Sequence, residues 1–440
     1  MRKTKVALMA TSLALAGGVA AAVVPATASA APAPARSSQA SHSAQKHLTL
    51  PAPTGPYQVG TTSLHLIDRS RPNPWTASPP DRELMVSVWY PARDARRYPR
   101  APQMLPGAAA HFGSAAGAAA QLYQVPAGTV DWAGTLTSGH TGAPAAGGGP
   151  FPVLLYSPGT GEDRTWGTTG VQDLASRGYV VVTMDATYDS SEVEFPGGRV
   201  VDSVLDTRLA QAQKAGPAAL AALAKKIVDV RVADTRFVLA DLTALARGDH
   251  PSGATLPAGL AGRLDLSRVG MFGVSAGGFT AAQAMAGDPR IKAGVDLDGA
   301  TDSPIIPGSS HLLPVFTTGL HQPFMFMGDP QTSWRTVASW RSFWTHTPGW
   351  RLDLTLRGAS GENDYKDAAA LLPQVAGASS AHPSLAASVL AKDLGSVQPG
   401  QAVSAEEAYV AAFFGRWLRG QASPLLDGPS PRYPQIAFVR

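Results

Sequence analysis

Cysteine is absent from the 440 residues, and that one gap removes three kinds of chemistry. No disulfide can staple the fold, no thiolate can serve as nucleophile, and no Cys-ligated zinc can form. Charge is also scarce, at 15% of residues, while 44% are hydrophobic. A disordered chain is excluded, and a sizeable core must supply the stability. The formal charge of +4 includes Arg2, Lys3 and Lys5, so the remainder is close to neutral and offers nucleic acid no electrostatic footprint. No internal repeat is visible. Catalysis, if any, must come from Ser, His, Asp and Glu.

The N-terminus, "MRKTKVALMATSLALAGGVAAAVVPATASA", has a basic start, an apolar run and then Ala28-Ser29-Ala30. This small-x-small ending predicts a signal peptide over residues 1–30, cleavage near Ala30 and secretion of the remainder. A retained anchor fits less well, because Gly, Ala and Thr dilute the run and a good cleavage site follows it. Residues 31–54, beginning "APAPARSSQASHSAQKH", are rich in Pro, Ala, Ser and Gln and read as a flexible linker. A single domain is expected over residues 55–440.

Within that domain, β-rich runs bounded by turn residues recur: "SLHLID", "LMVSVWY", "PVLLYS", "YVVVTMD", "RVGMF", "IKAGVDLD", "PFMFMG" and "RLDLTL". They predict eight strands, and the later ones are continuously apolar, as expected of strands covered on both faces. Helical patterns separate them: "TTGVQDLASRG", "IVDVRVADTRFVLADLTALA", "SAGGFTAAQAMAG", "TVASWRSFWTH" and "SAEEAYVAAFFGRWLRG". The alternation implies an α/β architecture with a mainly parallel sheet wrapped by helices. Residues 100–150 and 200–226 break the rhythm and are expected to form excursions, or a lid, near the carboxyl ends of the strands.

In "RVGMFGVSAGGFTAAQ", an apolar strand passes into a small-residue helix through Gly273-Val274-Ser275-Ala276-Gly277. Such a turn lifts a serine hydroxyl above the sheet, and its glycines permit a backbone and a close approach that a Cβ would obstruct. Ser275 is the candidate nucleophile. An oxyanion needs two backbone donors: the residue after the nucleophile, Ala276, and a loop after an earlier strand. In "LLYSPGTGEDRTW", Gly159 and Gly161 let the chain turn so that the Thr160 amide can face the site. For the acid, Asp298 ends the apolar run of "IKAGVDLDGAT", while Asp296 points to the other face by strand alternation. Asp329, closing "PFMFMGD", is its competitor.

These segments, with "PYQVGTTSLHLIDRSRPNPW", "RELMVSVWYPAR", "DLASRGYVVVTMD" and "EFPGGR", resemble the secreted α/β-hydrolases related to plasma-type platelet-activating factor acetylhydrolases and bacterial lipases. The resemblance runs from about Gly55 to the final helix. It implies the α/β-hydrolase fold with lid-like insertions, Ser275 as nucleophile, Asp298 as acid, and the Thr160 and Ala276 amides as oxyanion hole. It also implies short-chain acyl or lipid-like ester substrates, no metal and no cofactor, and leaves room for peripheral contact with a membrane or lipid.

The general base departs from that pattern. The resemblance implies a histidine about three residues before an aromatic-x-Asp, yet the matching loop is "GASGENDYKDAA". Counting back from Tyr365 and Asp367 the slot falls on Glu362; counting forward from Gly358 and Ala359 it falls on Gly361. A second departure is "MDATYD", where relatives often place His and this chain has Ala186. Of the ten histidines, His321 and His346 belong at the wrong edge of the sheet, whereas His311 and His382 follow later strands and could reach the site. Glu362 is the other candidate, and burial beside Asp298 would raise its pKa toward a useful range. Two readings follow: an ester hydrolase acting through an acyl-enzyme on Ser275, or a catalytically impaired homologue that binds an apolar ligand or a partner.

Overall fold

The computed structural model describes residues 45–302, 306, 308–378, 390 and 393–440. The leader expected over residues 1–30 and the candidate base His382 lie outside them. The strands are β1 (Lys46–Thr49), β2 (Gln58–Pro72), β3 (Asp81–Ala92), β4 (Arg100–Pro102), β5 (Val130–Thr141), β6 (Phe151–Ser157) and β7 (Val180–Met184). They continue with β8 (Glu192–Phe195), β9 (Arg199–Asp202), β10 (Leu264–Val274), β11 (Ile291–Leu297), β12 (Phe324–Gly328), β13 (Arg351–Leu356) and β14 (Ile436–Phe438). The longer helices are α1 (Thr168–Ser176), α2 (Leu205–Ala215), α3 (Pro217–Ala246), α4 (Ala276–Gly287), α5 (Ala338–His346), α6 (Asp367–Ala378) and α7 (Pro399–Arg419).

Among the described residues one sheet holds twelve strands, ordered β1-β5-β2-β3-β7-β6-β10-β11-β12-β13-β14 with β4 against β5. The eight strands expected from the apolar runs form one unbroken block of it, from β2 to β13. Within the block β3 is antiparallel to both neighbours, and β7, β6, β10, β11, β12 and β13 run parallel. This is the strand order and direction of the α/β-hydrolase fold.

Alternation along the central strands feeds two cores. Val153 and Leu155 of β6, Val180 and Val182 of β7 and Phe324 and Phe326 of β12 face α3, α4 and α5. Their neighbours Leu154, Tyr156, Val181, Met325 and Met327 face α1 and α7. Strands apolar on both sides are therefore sealed on both sides. Trp340 of α5 is fully buried and donates its Nε1 hydrogen to the Gly299 carbonyl at 2.6 Å, tying that layer to the loop after β11.

The expectation of eight strands falls short at the sheet edges. Residues 100–150 do not form only an excursion: β4 and β5 lie there, and Val59, Gly60 and Thr61 of β2 pair with Gly139, His140 and Thr141 of β5. The linker expected over residues 31–54 is also shorter, because Lys46 and His47 pair with Val130 and Asp131 as β1. These edge strands are short or keep one face in solvent, and so lack the long apolar run that marked the central ones. Residues 106–126 contribute Phe112 and Tyr123, which pack with Trp166 and with Ala368, Leu371 and Leu372 of α6. The insertion thus rests on the helix that follows the Glu362 loop.

Candidate active site

Five successive strands of the parallel block deliver the site. β6 leads into Pro158-Gly159-Thr160-Gly161, β10 into Ser275, β11 into Asp298, β12 into Asp329 and β13 into the loop holding Glu362. All lie at carboxyl ends of neighbouring parallel strands, where open α/β sheets place their ligands.

Ser275 occupies the sharp turn between β10 and α4 with φ 52° and ψ −120°. For a residue with a side chain this backbone costs about 1–3 kcal/mol, a strain the surrounding structure must hold. Packing holds it: a Cβ on Gly273 or Gly277 would lie 2.4 Å or 1.8 Å from the Ser157 carbonyl oxygen, so β6 and the start of α4 touch backbone to backbone. The Ser275 N–H donates to Leu297 O at 2.9 Å, and the Gly278 N–H donates to Ser275 O at 3.0 Å. Ala276 opens α4, and its N–H is among those with no acceptor inside the helix.

The Thr160 loop is fastened from below by Arg231, a buried residue of α3. Its guanidinium donates to the carbonyls of Pro158 and Gly159, the latter at 2.8 Å, and to Asp189 Oδ2 at 2.8 Å. Asp189 Oδ1 in turn accepts the Gly161 N–H at 2.9 Å. Gly161 has φ +77° with open space around its Cβ position, so conformation rather than crowding calls for glycine there. Thr160 lies in the loop after β6 and Ala276 directly follows Ser275, after neighbouring strands of the sheet. Arg231 was read only as part of a helix, although a charge inside the apolar stretch "VDVRVAD" was a signal for a buried role.

Asp298 and Asp329 separate by what they bind. Asp298 Oδ1 accepts the Asp329 N–H at 3.0 Å, and the Thr332 hydroxyl also donates to its carboxyl group. The Asp329 carboxylate instead accepts the Gln331 N–H at 2.8 Å, inside its own turn. Burial first, and then the neighbouring Asp329 charge, push the Asp298 pKa well above the ordinary carboxylate range despite those hydrogen bonds. Asp298 faces the Glu362 loop: a Cβ on Gly361 would lie 3.7 Å from Asp298 Oδ2.

The Ser275 hydroxyl lies beside the Glu362 carboxyl group and favours its charged form. On its other side Lys366 Nζ lies 3.3 Å from Glu362 Oε1. Lys366 is itself buried and forms a second, shorter ion pair with Glu162, whose Oε2 accepts the Gly159 N–H at 3.1 Å. Burial disfavours the Glu362 carboxylate, but the Lys366 ammonium and the Ser275 hydroxyl outweigh it and hold the pKa below the usual glutamate value. This reverses the sequence expectation of a raised pKa, because the Lys366 ammonium one turn further on favours the charged form. Glu362 and Asp298 thus stand apart in protonation, the first favouring its charge and the second its proton.

The histidines among the described residues do not converge here. His311 is exposed, and its Nδ1 lies 3.3 Å from Ser342 Oγ on α5, so its place as an alternative base is not supported by its bonding. The short helix carrying it, Ser309–His311, packs on that flank rather than on the elbow. His321 precedes β12 at the opposite sheet edge, and His346 bonds to Ser342 O at 2.7 Å. His47, His65, His111, His140 and His250 engage Asp131, Glu83, Glu192, Tyr98 and Ala254. Ala186, the second position lacking histidine, is buried and its carbonyl accepts the Asp189 N–H at 2.7 Å.

Residues 42–325 match the family described as platelet-activating factor acetylhydrolase, isoform II. A probable 1-alkyl-2-acetylglycerophosphocholine esterase of Arthroderma benhamiae is 26% identical over 408 residues, covering 89% of this chain and 93% of its own. Among solved structures, a ferulic acid esterase from Streptomyces cinnamoneus superposes with a TM-score of 0.67 at 31% identity, over 90% of this chain and 100% of that one.

Proposed function

Because this chain belongs to the platelet-activating factor acetylhydrolase isoform II family, a family of ester hydrolases, we propose that it cleaves carboxylic esters through an acyl-enzyme on Ser275. The observation that carries the reading is Ser275 on a strained elbow packed backbone to backbone against β6, with the Glu362 carboxyl group beside its hydroxyl. Ser275 Oγ attacks the acyl carbonyl carbon as its proton passes to Glu362, and the carbonyl oxygen takes its developing charge to the Thr160 and Ala276 amides. Collapse breaks the ester bond, and Glu362 returns the proton to the leaving alkoxide. Water then deacylates Ser275, with Glu362 again accepting and returning a proton. Asp298, whose burial favours its protonated form, faces the loop that carries Glu362.

The relatives named above act, by their descriptions, on an acetylated glycerophospholipid and on ferulic acid esters, which share the carboxylic ester and little else. We therefore propose short-chain acyl or lipid-like esters as substrates. Hydrolysis of p-nitrophenyl acetate, of 1-alkyl-2-acetylglycerophosphocholine and of an alkyl ferulate, each compared with Ser275→Ala, tests this. Loss of turnover in the variant supports the reading, and no turnover of any ester by the unaltered chain contradicts it. We also propose export, with the mature chain beginning at Ala31; N-terminal sequencing of the secreted protein tests that start.

One observation favours the second reading, an impaired homologue that binds an apolar ligand or partner: Glu362 is held below the usual glutamate pKa, and a weaker base deprotonates an alcohol less readily. A pocket intact except for its base gains turnover when Glu362→His supplies imidazole.

A further inference from the structure

Lys366 sits where two strand-ending loops meet. It follows Tyr365, whose hydroxyl donates to Gly328 O at 2.8 Å, and it precedes Asp367, which accepts the Thr169 N–H at 2.9 Å and the Gln103 amide at 2.6 Å. Both neighbours are thus anchored in different elements, and the Lys366 side chain is 1% exposed. A buried ammonium persists only with its charge answered. Here the answer comes from two carboxylates on different loops, Glu162 of the loop after β6 and Glu362 of the loop after β13. Glu162 passes the link on, since its other oxygen accepts the Gly159 N–H beside Thr160.

We propose that Lys366 is a positioning residue for ester hydrolysis: its two ion pairs lock the carboxylate beside Ser275 and the loop carrying Thr160 into one arrangement. The proposal rests on the reading of Ser275 and Glu362 given above. Glu362 has a side chain 43% exposed and a loop backbone with a glycine immediately before it, so little else fixes its rotamer. The charged and titratable groups around the pair are Asp298 from the loop after β11, Glu162 from the loop after β6, Tyr156 of β6 and Tyr123 from the 106–126 insertion. Asp329 acts one step further away, on Asp298. Lys366 is the cation among them, and its loss leaves Glu362 with only the Ser275 hydroxyl favouring its charged form.

The test uses the whole chain with Lys366→Met, Lys366→Arg and the double variant Glu162→Gln/Lys366→Met, which removes both buried charges and so leaves no lone buried carboxylate if the single variant fails to fold. Two readouts are taken on each: kcat and KM against pH with p-nitrophenyl acetate, and the titration of the Glu362 carboxyl carbon by NMR on 13C-glutamate protein, assigned by its absence in Glu362→Gln. Lys366→Met is expected to lower kcat by about tenfold or more with KM within about threefold. The acid limb and the Glu362 titration are expected to move upward by about one pH unit. Lys366→Arg restores both toward the unaltered protein, and the double variant repeats the upward move. The proposal is overturned if the titration and the acid limb stay in place in a folded charge-free variant, or if arginine restores nothing. Should Ser275→Ala leave turnover unchanged, the reading of the nucleophile fails, while the NMR titration still decides the role of Lys366.

Discussion

Lys366 Nζ lies 3.3 Å from Glu362 Oε1, in the loop where the resemblance to the family implies a histidine. That loop brings a carboxylate rather than an imidazole beside the Ser275 hydroxyl, with a buried lysine behind it. That exchange changes which pH range the site works in and which variants can reveal it.

Glu362→Gln keeps the shape of the side chain and removes its ability to take a proton. The expected outcome is a fall in kcat of about 10²- to 10⁴-fold with KM little changed, since a positioned base acts on the reacting proton rather than on binding. Steady-state kinetics on p-nitrophenyl acetate, with Ser275→Ala as the floor, measure it.

Glu362→His is expected to carry the acid limb of kcat/KM from the carboxylate range toward about pH 6, just under the free imidazole value because Lys366 disfavours a second positive charge nearby. Turnover near neutrality should rise above the unaltered chain. Gly361 is the poorer site for the same change, because its φ of 150° is one that a side-chain-bearing residue rarely adopts.

Arg231→Lys retains the charge but not the planar fork that reaches Pro158, Gly159 and Asp189 together. Loosening that loop displaces the Thr160 amide from the oxyanion, so kcat is expected to drop about tenfold or more while KM holds. An unchanged kcat with a lower Tm would mean that the fork serves stability alone.

Stability should fall as the solution turns alkaline. Burial raises the pKa of Asp353 to about 8, of Asp367 to about 7 and of Glu407 to about 8. The folded chain then keeps protons that the unfolded chain releases above about pH 4. Unfolding is favoured increasingly as pH rises through that window, and the loss levels off once the folded groups have titrated. Tm is expected to decline from pH 5 to 9, and Asp353→Asn, which removes one titrating group while its amide oxygen can still accept from the Trp334 N–H, should make the decline shallower.

What could be read in the sequence was whatever announces itself locally. The eight block strands are continuous apolar runs because both of their faces are covered, and Ser275 is framed by glycines that the contact with Ser157 demands. β1, β5 and β14 were invisible for the opposite reason, being short or half-solvated. Glu362 was marked by counting from Tyr365 and Asp367, but the sign of its pKa shift depended on Lys366, whose significance lies in Glu162 some 200 residues earlier. A lone lysine in "NDYKDAA" looks like a solvated residue. Only the meeting of the loops after β6 and β13 shows that it is buried between two carboxylates.

The most direct measurement is the rate at which a fluorophosphonate labels Ser275 as a function of pH, followed by mass spectrometry of the labelled peptide in the unaltered chain and in Glu362→Gln. The expected profile rises through an acid limb below about pH 4.5, runs flat past the imidazole range near 6.5, and falls at least about 100-fold in the variant. An inflection near pH 6.5 that survives Glu362→Gln, or label on a residue other than Ser275, would contradict the assignment of Glu362 as the base.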